Sequence, residues 1–143
     1  MKKTLILFTV LILSLNCVQA QHEQTKIFNT IQSLFKAMRE ENQELAKSVF
    51  TDSAVLITWE VQDKEVLSEK GGSDDFIKAI GKKHPKIWDE RTYAYDCKID
   101  GYFAQCWTDY VFFYGDTIHH CGTNFFSLIK QNNKWKITEI QDT

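Results

Sequence analysis

The sequence predicts an α+β domain in which N-terminal helices pack on a curved antiparallel sheet. Two observations carry that expectation. Apolar residues ahead of residue 50 recur at helical spacing. From Thr92 onward, stretches rich in aromatic and β-branched residues alternate with turn signals. Helices therefore precede a long meander, with one strand and one further helix between them.

The first twenty residues stand apart. Lys2 and Lys3 open the chain, residues 5–15 are a short apolar run, and Val18-Gln19-Ala20 offers small residues where a signal peptidase reads. This is the pattern of a secretory signal peptide cleaved after Ala20. The apolar run falls short of the roughly 20 residues that span a bilayer. No membrane partner is expected after cleavage, and the location expected is secreted or periplasmic. Cys17 closes the run and raises a lipid anchor as the alternative, which Asn16 disfavours as a poor residue before a lipidated cysteine.

Residues 21–143 remain as one domain of 123 residues, long enough to bury a core. Removing Lys2 and Lys3 from 17 basic residues leaves 15 against 19 acidic ones, a balance of −4. A mildly acidic domain without a basic stripe is not built for nucleic acid. Cys97, Cys106 and Cys121 follow the signal. Three cysteines allow one disulfide with a free thiol, or three buried thiols. No C-x-x-C occurs and the histidines do not pair with cysteines at finger spacing, so neither a metal nor a cofactor is expected.

Ile27, Ile31, Leu34, Phe35 and Met38 form one apolar stripe of a helix over about 23–40. Lys26, Gln32, Lys36 and Arg39 lie on its other face. Asn42 can cap a short second helix with Leu45, Ala46, Val49 and Phe50 as apolar residues. Thr51-Asp52-Ser53 breaks it, and a strand follows over 54–59. Ser73, with Asp74 and Asp75 behind it, is expected to cap a third helix that buries Phe76, Ile77 and Ile80 and ends by His84-Pro85. Asp100-Gly101, Gly115-Asp116 and Asn132-Asn133 are hairpin turns. The strands between them are expected over 92–99, 102–114, 117–130 and 134–141.

This order, together with the stretch SVFTDSAVL (48–56) and the ending from Trp135-Lys136-Ile137 to Asp142-Thr143, resembles the nuclear transport factor 2-like superfamily, which includes SnoaL-like cyclases and ketosteroid isomerases. Cys121-Gly122 ahead of an aromatic strand is similar to an exported bacterial branch of that group. The resemblance implies a cone-shaped half-barrel, often dimeric through its outer sheet face.

Regular alternation from the turns assigns faces. Trp107, Asp109, His120, Gly122, Asn124, Phe126, Trp135, Ile137 and Glu139 fall on one face. Tyr95, Cys97, Cys106, Thr108, Tyr110, Phe112, His119 and Cys121 fall on the other. The resemblance to ketosteroid isomerase puts Asn124 inside, so the first face is expected to be concave and the second to serve as the homodimer interface. Asp109 then opposes Gly122, with His120 and Asn124 at its diagonals, within side-chain reach. An Asp109–His120 pair could perform acid–base work, or it could be a satisfied polar network that holds register. A one-residue slip would exchange His119 for His120. Ligand contacts are expected from Thr58, Trp59, Trp107, Asn124, Phe126 and Glu139. Thr58 stands where the resemblance would need the isomerase's general base and cannot act as one, so steroid isomerase chemistry is not expected. Cys97 and Cys106 come out diagonal with the turn at Asp100-Gly101, and directly opposed with it at Gly101-Tyr102.

Three functions fit these residues. The first is an exported domain that binds a small molecule in a SnoaL-like pocket. The second is an acid–base enzyme of the isomerase, dehydratase or cyclase type using Asp109 and His120. The third is a dimeric interaction domain without a functional cavity.

Overall fold

The structure is a computed structural model that describes residues 2–143, with side chains from residue 20 onward. The predicted signal peptide and Cys17 lie outside the residues described in that detail. Helix α1 (Lys2–Arg39) leads into α2 (Gln43–Val49), β1 (Phe50–Gln62), β2 (Glu65–Gly72) and α3 (Ser73–Ile80). Five strands complete the chain: β3 (Trp88–Thr92), β4 (Asp96–Asp100), β5 (Phe103–Tyr114), β6 (Thr117–Gln131) and β7 (Lys134–Asp142). The sheet runs β2-β1-β7-β6-β5-β3, with β4 beside β3 on the same edge of β5. All pairings are antiparallel except β1 with β7.

The helices form as their sequence dictates. Ile27, Ile31, Leu34, Phe35 and Met38 are all buried, and α1 lies against β3 and β7. Asn42 caps α2 through its side-chain oxygen, which accepts from the Leu45 amide at 2.9 Å. Helix α3 departs from expectation at both ends. Gly72 holds the N-cap position, Ser73 is its first residue, and it stops at Ile80, well before Pro85.

The turns hold the meander in place. Asn132 and Asn133 both take positive φ, as a type I′ turn requires. Gly115 takes φ +66° ahead of Asp116. The β4–β5 turn is Gly101-Tyr102, because the left-handed first position (φ +57°) needs the glycine. That choice sets Cys97 directly opposite Cys106, with Cα atoms 4.1 Å apart, and the two form a disulfide. Cys121 is the free cysteine among the residues whose side chains are described.

Two bulges overturn the expected faces. Phe112 pairs with His120 but Phe113 pairs with Ile118, so His119 is an extra residue in β6. Ser127 pairs with Glu139 but Leu128 pairs with Ile137, so Thr138 is an extra residue in β7. The Thr138 hydroxyl donates to the Ser127 carbonyl at 3.0 Å beside that break. Each extra residue inverts alternation beyond it. The inner face of β5 is therefore Ala104, Cys106, Thr108 and Tyr110, all buried. Asp109 opposes Thr123, and Gly122 opposes Tyr110. The outer face carries Phe103, Gln105, Trp107 and Asp109.

Candidate functional site

Beyond the bulges the sheet curls over the helices and leaves a cavity of about 480 Å³. Leu34, Phe35 and Met38 of α1 form its floor, with Leu56 of β1 and Phe76 of α3 beside them. Trp88, Tyr110, Phe112, Tyr114 and Phe126 add aromatic walls. The imidazole of His84 stacks on Trp88, centroids 3.7 Å apart, and backs that wall.

Polar groups gather at one place in this apolar shell. Strand β3 alternates, so Trp88 and Glu90 both face the cavity. The Asn124 side-chain amide donates to Glu90 Oε1 at 2.6 Å. Asn124 in turn sits directly across from Asp142 on β7. Thr58 stands beside Asp142 as its partner on the parallel strand β1 and counters the rise that burial gives that carboxyl. Asn124 thus bonds to Glu90 and lies opposite Asp142, so the fold brings together two carboxyl groups far apart in sequence.

Burial pushes the Glu90 carboxyl from an ordinary 4.5 up to about 7. The Asn124 bond opposes that rise and the charge of Asp142 adds to it. Glu90 is half-buried, and it lines the cavity. Burial also raises Asp142, against Thr58 and the nearby His120. Its Oδ1 is buried without a hydrogen-bond partner. Burial raises the Tyr110 phenol, which donates to the Thr143 carbonyl at 3.0 Å. His119 and His120 stand at the rim, their Nδ1 atoms 2.8 Å apart, so one ring must donate and the other accept. Burial and the neighbouring His119 lower His120.

Of the residues singled out from sequence, Thr58, His120, Asn124 and Phe126 line this cavity. Four do not. Asp109 lies on the outer face, where it accepts from the Thr123 hydroxyl at 3.1 Å, because the His119 bulge inverts β5 relative to β6. The Asp109–His120 pair is therefore not formed. Trp107 is 56% exposed on the same outer face, packed edge-on against Phe125. Trp59 is also exposed and donates from Nε1 to Gln141 at 3.0 Å. Glu139 accepts from Gln141 at 2.7 Å on the outer side, because the Thr138 bulge hands the inner positions to Ile140 and Asp142. The slip that would exchange the two histidines resolves differently: the bulge brings both to the rim.

Glu90 is the functional candidate that sequence reasoning missed. The sequence places the first strand of the meander only from Thr92, so Trp88-Asp89-Glu90-Arg91 falls in no expected element, whereas the structure makes it strand β3. The signal available was the alternation of Trp88, Glu90 and Thr92 against Asp89 and Arg91, whose charges pair with each other at 2.7 Å. Among the described residues no three His, Cys, Asp or Glu side chains are arranged to hold a metal ion.

No family model matches the chain, and no curated protein matches it. Solved structures do. A protein of unknown function from Mycobacterium tuberculosis superposes with TM-score 0.73 at 16% identity, covering 89% of this chain and 74% of its own. A nuclear transport factor 2-like protein with a cystatin-like fold from Novosphingobium aromaticivorans gives 0.71 at 9% identity, covering 89% and 84%. Another, of unknown function, from Shewanella baltica gives 0.63 at 18% identity, covering 85% and 93%. At these identities the likeness carries the fold alone. The chain has the α+β cone fold of nuclear transport factor 2-like proteins.

Proposed function

We propose that the protein is an exported domain that binds a small molecule in the cone cavity. The observation that carries this reading is the cavity itself: about 480 Å³ of mainly apolar and aromatic wall, with Glu90, Asn124, Thr58 and Asp142 converging at one site. Ligand sites have that size and composition, with few polar groups fixing orientation. The signal-peptide pattern of residues 1–20 supports export, and the Cys97–Cys106 disulfide fits an oxidising compartment. The exposed aromatics Trp59, Phe103 and Trp107 support a homodimer through the outer sheet face.

The test fills the cavity. Leu56→Trp places a larger side chain in its wall. A screen of small aromatic compounds by thermal shift should find stabilisers of the wild type that lose their effect in this variant. Equal stabilisation of both proteins by every hit would overturn the reading.

A second reading is acid–base catalysis, favoured by the Glu90 carboxyl at about 7. A base poised near neutral pH suits proton abstraction. With Asp109 on the outer face, Glu90 takes the role first expected of it, and His120 at the rim remains a partner. Deuterium from solvent should then enter a bound carbon acid with wild type and not with Glu90→Gln. Binding without exchange would leave the first reading standing.

A further inference from the structure

The cavity has an unbalanced charge. Its lining holds two carboxyl groups, Glu90 and Asp142, and no lysine or arginine. Elsewhere the same fold supplies cations to its sheltered carboxylates. Glu23 takes Lys26 at 3.0 Å and Lys130 at 2.7 Å, and Asp89 takes Arg39 at 3.2 Å and Arg91 at 2.7 Å. In the cavity Glu90 receives only a neutral amide donor from Asn124. Asp142 has only the neutral Thr58 beside it on β1, and its Oδ1 stays buried and unpartnered. The nearby imidazoles face each other through their Nδ1 atoms, an arrangement that needs one ring neutral. Two ionised carboxyls in an apolar shell are costly, so such groups either keep a proton or take a counter-charge, and a bound cation would supply the latter.

The rest of the wall suits the missing charge. Trp88, Tyr110, Phe112 and Phe126 surround the carboxyls. Aromatic faces attract desolvated organic cations and bury the apolar body that such cations carry. A bare metal ion is a poor fit, since no three ligating side chains converge among the described residues.

We propose that the cavity takes an organic cation, an amine or quaternary ammonium on an apolar or aromatic body, with its nitrogen between Glu90 and Asp142. This inference rests on the cavity being a ligand site, and it names the ligand's chemical class.

The experiment compares three probes of similar shape by titration calorimetry at pH 7.5: benzyltrimethylammonium, its uncharged carbon isostere neopentylbenzene, and the anion 3-phenylpropionate. The cation should bind about tenfold tighter than the isostere, the equivalent of about 1.4 kcal/mol, and the anion weakest. In Glu90→Gln/Asp142→Asn the advantage of the cation should fall below about threefold, while the isostere binds as before. Equal or tighter binding of the isostere in wild type overturns the cation and leaves the cavity reading intact. Failure of all three to bind a folded wild type overturns both. Binding of the cation that persists in Leu56→Trp puts its site outside the cavity and overturns the inference as well.

Discussion

Replacing Glu90 with glutamine should make the protein more stable at neutral pH, and the size of the gain should depend on pH. A carboxyl held at about 7 in the fold and 4.5 when ordinary keeps its proton in the folded state and loses it in the unfolded state across that window. The folded state then binds more protons, so stability falls as pH rises from 4.5 to 7. At about 1.4 kcal/mol per pH unit the full loss is about 3 kcal/mol. Contact with water in the cavity reduces it to roughly 2–3 kcal/mol. Glutamine matches the shape of the side chain, and its carbonyl still accepts from Asn124, so the substitution removes the titration and little else. Urea unfolding followed by tryptophan fluorescence from pH 4 to 8 would read the difference. Wild type and Glu90→Gln should agree at pH 4 and diverge by roughly 2–3 kcal/mol above pH 7. A difference that stays constant with pH would refute the reasoning, because a carboxylate already ionised in the fold at pH 5 gives no such slope.

Three further changes probe the frame around the cavity. A Cβ on Gly122 would stand 1.9 Å from the Thr143 carbonyl oxygen and 3.0 Å from the Tyr110 ring. Gly122→Ala should displace Thr143, break its bond to Tyr110 and cost about 1–3 kcal/mol, read by thermal unfolding. Glu23 accepts from Trp135 Nε1 at 2.9 Å and pairs with Lys130 and Lys26, which hold its carboxyl down to about 2. Glu23→Gln should cost about 1.5–3 kcal/mol at pH 7. The depressed carboxyl stabilises above its ordinary value of 4.5 and loses that effect as pH falls towards 2, so the variant's penalty should vanish over that range. Cys97→Ala with Cys106→Ala opens a short loop, of sequence separation 9, and should cost about 2–3 kcal/mol under non-reducing conditions, read by urea midpoint. Wild type treated with reductant should lose a similar amount.

Much of the frame is readable from local chemistry. The α1 stripe, the Asn42 cap and the Gly115 and Asn132-Asn133 turns follow from spacing and from backbone needs that few residues meet. What sequence hides is irregularity. A bulge has no residue signature here: His119 and Thr138 are ordinary strand residues, and regular alternation counted from correct turns put Asp109 and Glu139 inside. Burial decides otherwise. Thr108 and Tyr110 sit opposite Asn124 and Gly122, and the core claims Phe126, Leu128 and Ile137. Holding both the turn and that core in register requires one extra residue between them. Glu90 was hidden for a different reason. Its strand is five residues long and mostly charged, so composition favours a loop, while pairing with β5 makes it a strand.

The two bulges bear directly on the chemistry of the cavity. Without the extra residue in β6, the β5 face opposite Asn124 would present Trp107 and Asp109 in place of Thr108 and Tyr110. Without the extra residue in β7, the inner positions would pass from Ile140 and Asp142 to Glu139 and Gln141. The same side chains would be present, yet Asp142 would leave Asn124 and the link to Glu90 would be lost. Bulges recur at barrel rims because they re-aim side chains while the sheet stays paired. In this fold both lie between a turn and the cavity wall, and both turn an otherwise outward polar or aromatic residue inward. The polar cluster is therefore a product of register rather than of any sequence motif. A search for paired acids at fixed spacing would pass over Glu90 and Asp142, which only the closed sheet brings to opposite sides of Asn124.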